Sequence, residues 1–252
     1  TAEALTVSPS RVVLQAKPNQ VRVGFFTVSN EGDVPVQVQV EPEDWAQGMT
    51  GDRQPVAWLS VRPVQFTLQP GQGLHVKYTV RVPKGAQGEL RTQVFFTTET
   101  TSGSIPMRSR LGAIIYVAIE GTEQIAGEIS RVQAFYAPST PGVAKSDRLD
   151  IVIGVRNRSN VHVVPEGTVT VVDEDEQVVD TIRVQGGWGL LPNEEDRYHA
   201  IGHGVYLKPG RYRLEIAVTL GGDLRQPTPI TKDVQAVVSE EGALSLLEQV
   251  SP

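Results

Sequence analysis

The sequence contains no cysteine among its 252 residues. This absence excludes disulfide bonds, thiolate metal sites, iron–sulfur clusters and cysteine nucleophiles. Basic residues are outnumbered, because 23 Lys and Arg face 29 Asp and Glu and the net charge is -6. Such a chain has no positive field for a phosphate backbone, which counts against nucleic-acid binding. No apolar run of 18 or more residues occurs, so no membrane-spanning helix is predicted.

Sequence patterns of common active sites are also missing. The chain has no Gly-x-Ser-x-Gly elbow and no His-Glu-x-x-His metal motif. His199 and His203 lie near Glu194, but a spacing of four residues needs a helix to converge on a metal, and Gly202 and the residues around it look strand-like. Because the two histidines are not expected to converge, we predict a solvated loop around them and not a metal site. The sequence predicts no catalytic residue, no metal site and no cofactor, which favours a binding or structural role over an enzyme.

An acidic run at residues 173–176 lies between two Val-rich segments. It lacks the Gly and the terminal Glu of a helical calcium loop. We predict that it forms the tip of a β-hairpin, with its carboxylates in water.

β-branched residues are abundant, with 37 Val, 12 Ile and 19 Thr. They favour strands because their stiff side chains pack well on a pleated surface. The 24 Gly and 17 Pro divide the chain into short segments joined by turns. The composition therefore predicts an all-β protein, with no helix except one considered at the C-terminus, where apolar residues recur at helical spacing.

Apolar residues alternate with polar ones along both halves of the chain. This period of two predicts half-buried strands with one face in a core. The clearest series are Val21, Val23 and Phe25; Val36, Val38 and Val40; Val76, Tyr78 and Val80; Leu149, Ile151, Ile153 and Val155; and Tyr212, Leu214, Ile216 and Val218. From these series we predict that Phe25, Val28, Val38, Tyr78, Phe95, Ile151, Ile153, Leu214 and Ile216 are buried.

The two halves share a weak internal repeat. In each, a strand ends at an Asn, a polar turn follows and a Val-rich strand begins; the two residues are Asn30 and Asn157. Asn suits such a strand end because its side chain bonds to nearby backbone. We predict two immunoglobulin-like β-sandwich domains in tandem, over residues 1–121 and 127–239, followed by a tail or short helix over 240–252.

Five segments in order give the first domain a resemblance to the PapD-like periplasmic pilus-assembly chaperones, over about residues 5–120. They are Val7 to Leu14 with its Arg, Phe26 to Asn30, Arg62 to Gly71 with its Pro-Gly turn, Glu89 to Phe96, and Ile114 to Tyr116. The second domain is similar only to generic bacterial immunoglobulin-like sandwiches.

The resemblance implies a function. Members of that family bind pilus subunits by lending them an edge strand, which is a form of β-augmentation, and they hold the subunit's C-terminal carboxylate with an Arg and a Lys. Arg11 matches the Arg. The Lys falls at Ala113, so Arg110 is the nearest basic candidate, and the donor strand corresponds to residues 104–111. The predicted partner-binding residues are Arg11, Ile105, Met107, Arg110 and Leu111.

The resemblance implies an exported chaperone-like protein, periplasmic or extracellular, whose signal peptide has been removed. Its partner is a protein subunit of a pilus or surface appendage, with an outer-membrane usher as a further candidate. It binds no nucleic acid and no small-molecule cofactor. The alternative is a structural cell-surface or appendage component with the same fold that binds its partners permanently.

Overall fold

A computed structural model describes residues 5–44, 56–102, 105–139, 147–187, 189–222 and 225–247. Within these ranges it does not describe the side chains of residues 44, 100–102, 105–107 and 225. The chain folds into two compact units, Thr1–Glu123 and Gln124–Pro252. Every regular element in the described ranges is a strand, which confirms the predicted all-β fold. Among the described residues no helix is long and apolar enough to cross a membrane.

The described residues of the first unit form nine strands arranged in two sheets. One sheet has the order β1-β3-β7-β5 and the other the order β2-β9-β8-β4-β6. Among these described strands all pairs are antiparallel except β2 with β9, which is parallel. The strands are β1 (Leu5–Ser8), β2 (Arg11–Ala16), β3 (Val21–Asn30), β4 (Val36–Asp44), β5 (Leu59–Arg62), β6 (Gln65–Leu68), β7 (Gly73–Arg81), β8 (Glu89–Ser102) and β9 (Ile105–Ile119).

The core of the first unit lies between these two sheets, as in a β-sandwich. The predicted burial of Val28, Val38 and Tyr78 is confirmed. Rings from the two sheets meet in the core, since the Phe26 and Phe96 centroids are 5.6 Å apart in an edge-to-face arrangement. Aromatic pairs of this geometry add to the stabilisation from burial itself.

Two aromatic residues that were predicted to be buried lie on the outer faces of their strands. Phe25 is 55% exposed, and its neighbours Val21 and Val23 share its outer face. Phe95 is only half-buried. In both strands the next residue along the chain is a phenylalanine that faces the core, so the prediction chose the wrong one of two adjacent phenylalanines.

In the second unit, the part of the chain that the structure describes forms eight antiparallel strands in the hydrogen-bonded order β10-β11-β14-β13-β12-β15-β16-β17. The strands are β10 (Gly127–Ala137), β11 (Arg148–Asn157), β12 (Val164–Asp173), β13 (Val178–Gln185), β14 (Glu195–His203), β15 (Gly210–Gly222), β16 (Arg225–Val238) and β17 (Leu244–Leu246). The predicted burial of Ile151, Ile153, Leu214 and Ile216 is confirmed.

A narrow junction divides this second sheet into two layers. β13 and β14 pair only at Val184 with Ala200 and at Gln185 with His199. On one side lie β10, β11 and β14, and on the other lie the remaining five strands. Residues of both layers form a single core, so the second unit is also a sandwich.

The structure of the second unit tests three local predictions. The hairpin tip is confirmed, because the acidic run connects β12 to β13. The helix considered near the C-terminus is wrong: Leu244–Leu246 is a strand that pairs with β16, since its apolar residues cover the end of that sheet. The loop predicted around His199 and His203 is also wrong, because both residues belong to β14 and pair with β11.

Candidate functional site

Strand β9 is covered on one side along only part of its length. It pairs with β8 from Ile105 to Ala118. On its other side β2 pairs only with residues Ile114 to Ile119. Residues 105–113 therefore have no strand on that side within the described part of the chain, and we call this stretch the open edge. An unpaired edge presents backbone groups to which another strand can bond.

The hydrogen bonds to β2 show which backbone groups point to the open edge. The N–H of Ile114 donates to the carbonyl oxygen of Ser10 over 2.9 Å. Successive residues of a strand direct their N–H and C=O to opposite sides. Pro106, Arg108, Arg110 and Gly112 consequently point to the open edge. Pro106 has no N–H, so the donors on this edge come from the other three residues.

The side chains on the core-facing side of β9 become accessible to solvent along the open edge. Ala113, Ile115 and Val117 are fully buried in the first unit. Leu111 is the next residue in this alternation and is 37% exposed. Ile105 and Met107 continue the same alternate positions, but their side chains lie outside the described residues. The core-facing apolar row of β9 thus becomes accessible at Leu111.

Arg110 on the other face of β9 is held by two neighbours. Its guanidinium forms an ion pair with Glu43 of β4, and both side chains are mostly shielded, at 29% and 19% exposure. The same guanidinium lies 3.5 Å from the centre of the Phe95 ring of β8. A cation stacked on an aromatic face gains attraction beyond the ion pair alone. Arg110 is therefore fixed against the sheet.

Arg108 has a much looser environment. Its Nε lies 3.6 Å from Glu99 Oε1, and the two side chains are 54% and 75% exposed. Exposed pairs of this kind contribute only about 0 to 1 kcal/mol. The guanidinium of Arg108 can therefore exchange this partner at little cost.

Arg11 lies where β2 begins and where the open edge ends. In the register it is opposite Ile114, and its guanidinium carbon lies 5.4 Å from the centre of the Tyr116 ring. Arg110 is four residues before Ile114, about 13 Å along the strand at roughly 3.3 Å per residue. Ala113, the position at which the resemblance predicts the family's Lys, is fully buried. Arg11 thus lies beside the end of the open edge, and Arg110 lies four residues before that end.

Sequence reasoning missed Glu43, Phe95 and Glu99 as neighbours of the predicted residues. Glu43 is 67 positions from Arg110, and no spacing in the sequence relates them. The contact between Glu99 and Arg108 could have been predicted from the sequence, because two strands joined by a short connection place residues opposite each other at predictable positions. The register of the β8–β9 hairpin pairs Glu99 with Arg108.

Ionisable groups of the second unit form surface pairs. His199 Nδ1 lies 3.1 Å from Asp150 Oδ1. Hydrogen bonds from Ser130 and, as the next largest cause, from Arg156 lower the pKa of Glu195 below its ordinary value of 4.5. Within the described residues, no group of three or more His, Cys, Asp or Glu side chains is placed to hold a metal ion.

Comparison with known proteins gives matches at the level of structure. No protein-family model and no curated protein matches the sequence. The class 5 fimbriae chaperone CfaA is 12% identical, with 91% of this chain and 98% of that chain covered and a TM-score of 0.50. A chain from a chaperone–tip adhesin complex of CFA/I fimbriae biogenesis is 10% identical, with the same coverage and TM-score.

A further match comes from the complex of the Salmonella enterica SafA pilin with the SafB chaperone. It is 12% identical, covers 92% of this chain and 98% of the other, and has a TM-score of 0.45. At these identities the similarity concerns the fold. This chain shares its fold with the fimbrial chaperone CfaA over 91% of its length.

Proposed function

We propose that this protein is an exported chaperone that binds subunits of a pilus or other surface appendage by adding its β9 edge to their sheets. The observation that carries the proposal is the half-covered strand β9, which β2 pairs only from Ile114 onward. The fold shared with fimbrial chaperones supports the same reading. A binding role of this kind needs no catalytic group.

The chemistry of the open edge suits a subunit whose sheet lacks a strand. Backbone donors at Arg108, Arg110 and Gly112 bond to the subunit largely irrespective of its sequence. Leu111, with Ile105 and Met107 at alternate positions, supplies apolar groups for the groove that the missing strand leaves. Exposed apolar edges favour aggregation, so an edge kept open is expected to have a use.

The parallel pairing of β2 supports Arg11 as the ligand of a partner's C-terminal carboxylate. A partner strand that runs parallel to β9 along the open edge lies end to end with β2 and in the same direction. Its C-terminus then meets the beginning of β2, where Arg11 lies. A guanidinium can bond a terminal carboxylate through two parallel hydrogen bonds. Arg11 is thus the proposed carboxylate ligand, and Arg110 contributes its backbone groups.

The test uses a fimbrial subunit that lacks its final strand, refolded from denaturant with the full-length protein. We expect a one-to-one complex on size-exclusion chromatography. Arg11→Ala should weaken capture roughly 30-fold, because truncating one partner of a buried charge pair costs at least about 2 kcal/mol. Met107→Asp and Leu111→Asp should abolish it by placing a charge in an apolar groove.

Matched variants of the second unit serve as controls. Arg148→Ala removes an arginine that is half exposed, and Val178→Asp charges an exposed apolar residue. Both should capture the subunit as well as the unmodified protein. Undiminished capture by Arg11→Ala and Leu111→Asp would overturn the proposal. A complex that a peptide of the missing strand cannot displace would instead favour a permanent structural component.

A further inference from the structure

The side chains beside the open edge differ between its two faces. On the core-facing side the partly exposed Leu111 is preceded in this alternation by the exposed, polar Ser109. On the opposite face lie Arg108 and Arg110. Glu43 and Phe95 already hold Arg110, whereas among the described residues Arg108 has only the loose and exposed contact with Glu99.

We infer that Arg108 makes the open edge selective for partner strands that carry an acidic residue on this outer face. The inference rests on the proposed function, because it concerns a strand bound at the same edge. Adjacent strands of a sheet lie about 4.7 to 4.9 Å apart, so residues in register on one face are neighbours. An acidic residue opposite Arg108 is then within reach of its guanidinium, from the side that Glu99 does not occupy.

The position of Arg108 between two strands explains why its side chain can serve the partner. Glu99 is its neighbour on β8, and the bound strand becomes its neighbour on the other side. The contact with Glu99 is too long and too exposed to hold the guanidinium in one place. A partner carboxylate therefore adds to this contact or replaces it. A lysine at the same partner position repels Arg108.

The experiment uses three synthetic peptides with one apolar face and a free C-terminal carboxylate. They differ only at the outer-face positions, which are all Glu, all Gln or all Lys. Because every outer position carries the same residue, a shift of two residues in register leaves the result unchanged. Binding of each fluorescently labelled peptide to the full-length protein is measured by anisotropy.

We expect the Glu peptide to bind roughly fivefold more tightly than the Gln peptide, which is about 1 kcal/mol, and the Lys peptide to bind most weakly. Added salt should reduce the difference between the peptides. Arg108→Glu should reverse the order, and Arg108→Gln should remove it. Arg148→Glu, a change of a comparably exposed arginine in the second unit, should leave the order as it was.

The outcomes separate this inference from the proposed function. Equal binding of the three peptides, with loss of all binding in Leu111→Asp, would overturn the selectivity and leave the strand-binding edge. Absence of binding by every peptide and by the refolded subunit would overturn both. An order of affinities that persists in Arg108→Gln would assign the preference to another residue.

Discussion

Asn30 and Asn157 make the same set of hydrogen bonds in the two units. Asn30 is fully buried at the end of β3. Its amide nitrogen donates to the carbonyl oxygens of Val34 and Leu68, over 2.8 and 3.2 Å. Its amide oxygen accepts a bond of 3.0 Å from the N–H of Gly32. One side chain thus closes the turn after β3 and connects it to the end of β6.

Asn157 repeats this arrangement at the end of β11, where it is also fully buried. Its amide nitrogen donates to the carbonyl oxygens of Val161 and Leu190, over 2.9 and 3.0 Å. Its amide oxygen accepts a bond of 2.8 Å from the N–H of Ser159. The repeat predicted from the sequence is therefore a repeated structural element.

Replacement of either asparagine should destabilise its own unit. Asn30→Ala or Asn157→Ala leaves two carbonyl groups and one N–H group without their partner. We expect a loss of roughly 2 to 4 kcal/mol in the free energy of unfolding. Denaturant unfolding followed by tryptophan fluorescence and circular dichroism measures the effect.

Gln37→Ala is the control for this prediction, because Gln37 is an exposed residue of β4. It should change stability by less than about 0.5 kcal/mol. Asparagine variants as stable as the control would show that the shared hydrogen bonds contribute nothing net.

The two neighbouring phenylalanines of β8 should respond differently to truncation. Phe96 is fully buried, and Phe96→Ala should cost roughly 3 to 5 kcal/mol. Phe95 lies half-buried under Arg110, so Phe95→Ala should cost about 1 kcal/mol and loosen Arg110. Equal losses in the two variants, measured by denaturant unfolding, would contradict the observed faces of this strand.

Gly167 of β12 should not tolerate a side chain. A Cβ atom at this position would lie 2.1 Å from the carbonyl oxygen of Ala217 and 2.9 Å from the Cα of Val218. Both atoms belong to the backbone of β15, so no rotamer change relieves the overlap. We expect Gly167→Ala to lower the free energy of unfolding by about 3 kcal/mol.

A second glycine provides the comparison for this substitution. A Cβ atom at Gly186 would have no atom within 4 Å. Gly186→Ala should therefore leave the urea midpoint nearly unchanged or raise it slightly. A destabilisation of similar size at both positions would mean that crowding against β15 is not the cause.

Alternation of apolar and polar residues was sufficient to locate strands. It was not sufficient to choose the buried face where two large apolar residues are adjacent, as at Phe25–Phe26 and Phe95–Phe96. Either phase places a phenylalanine inward. The opposing sheet decides between them, because Phe26 and Phe96 pack against each other across the core.

The sequence by itself determined the all-β class and the repeated asparagine turn, because these depend on local composition and short-range alternation, and its resemblance to a known family indicated the segment that contains the candidate edge. Only the tertiary structure decided that β2 covers β9 from Ile114 and leaves the preceding residues open. The same holds for the contact of Arg110 with Glu43. Strand pairing joins residues that lie far apart in the chain, and its register depends on how whole sheets pack.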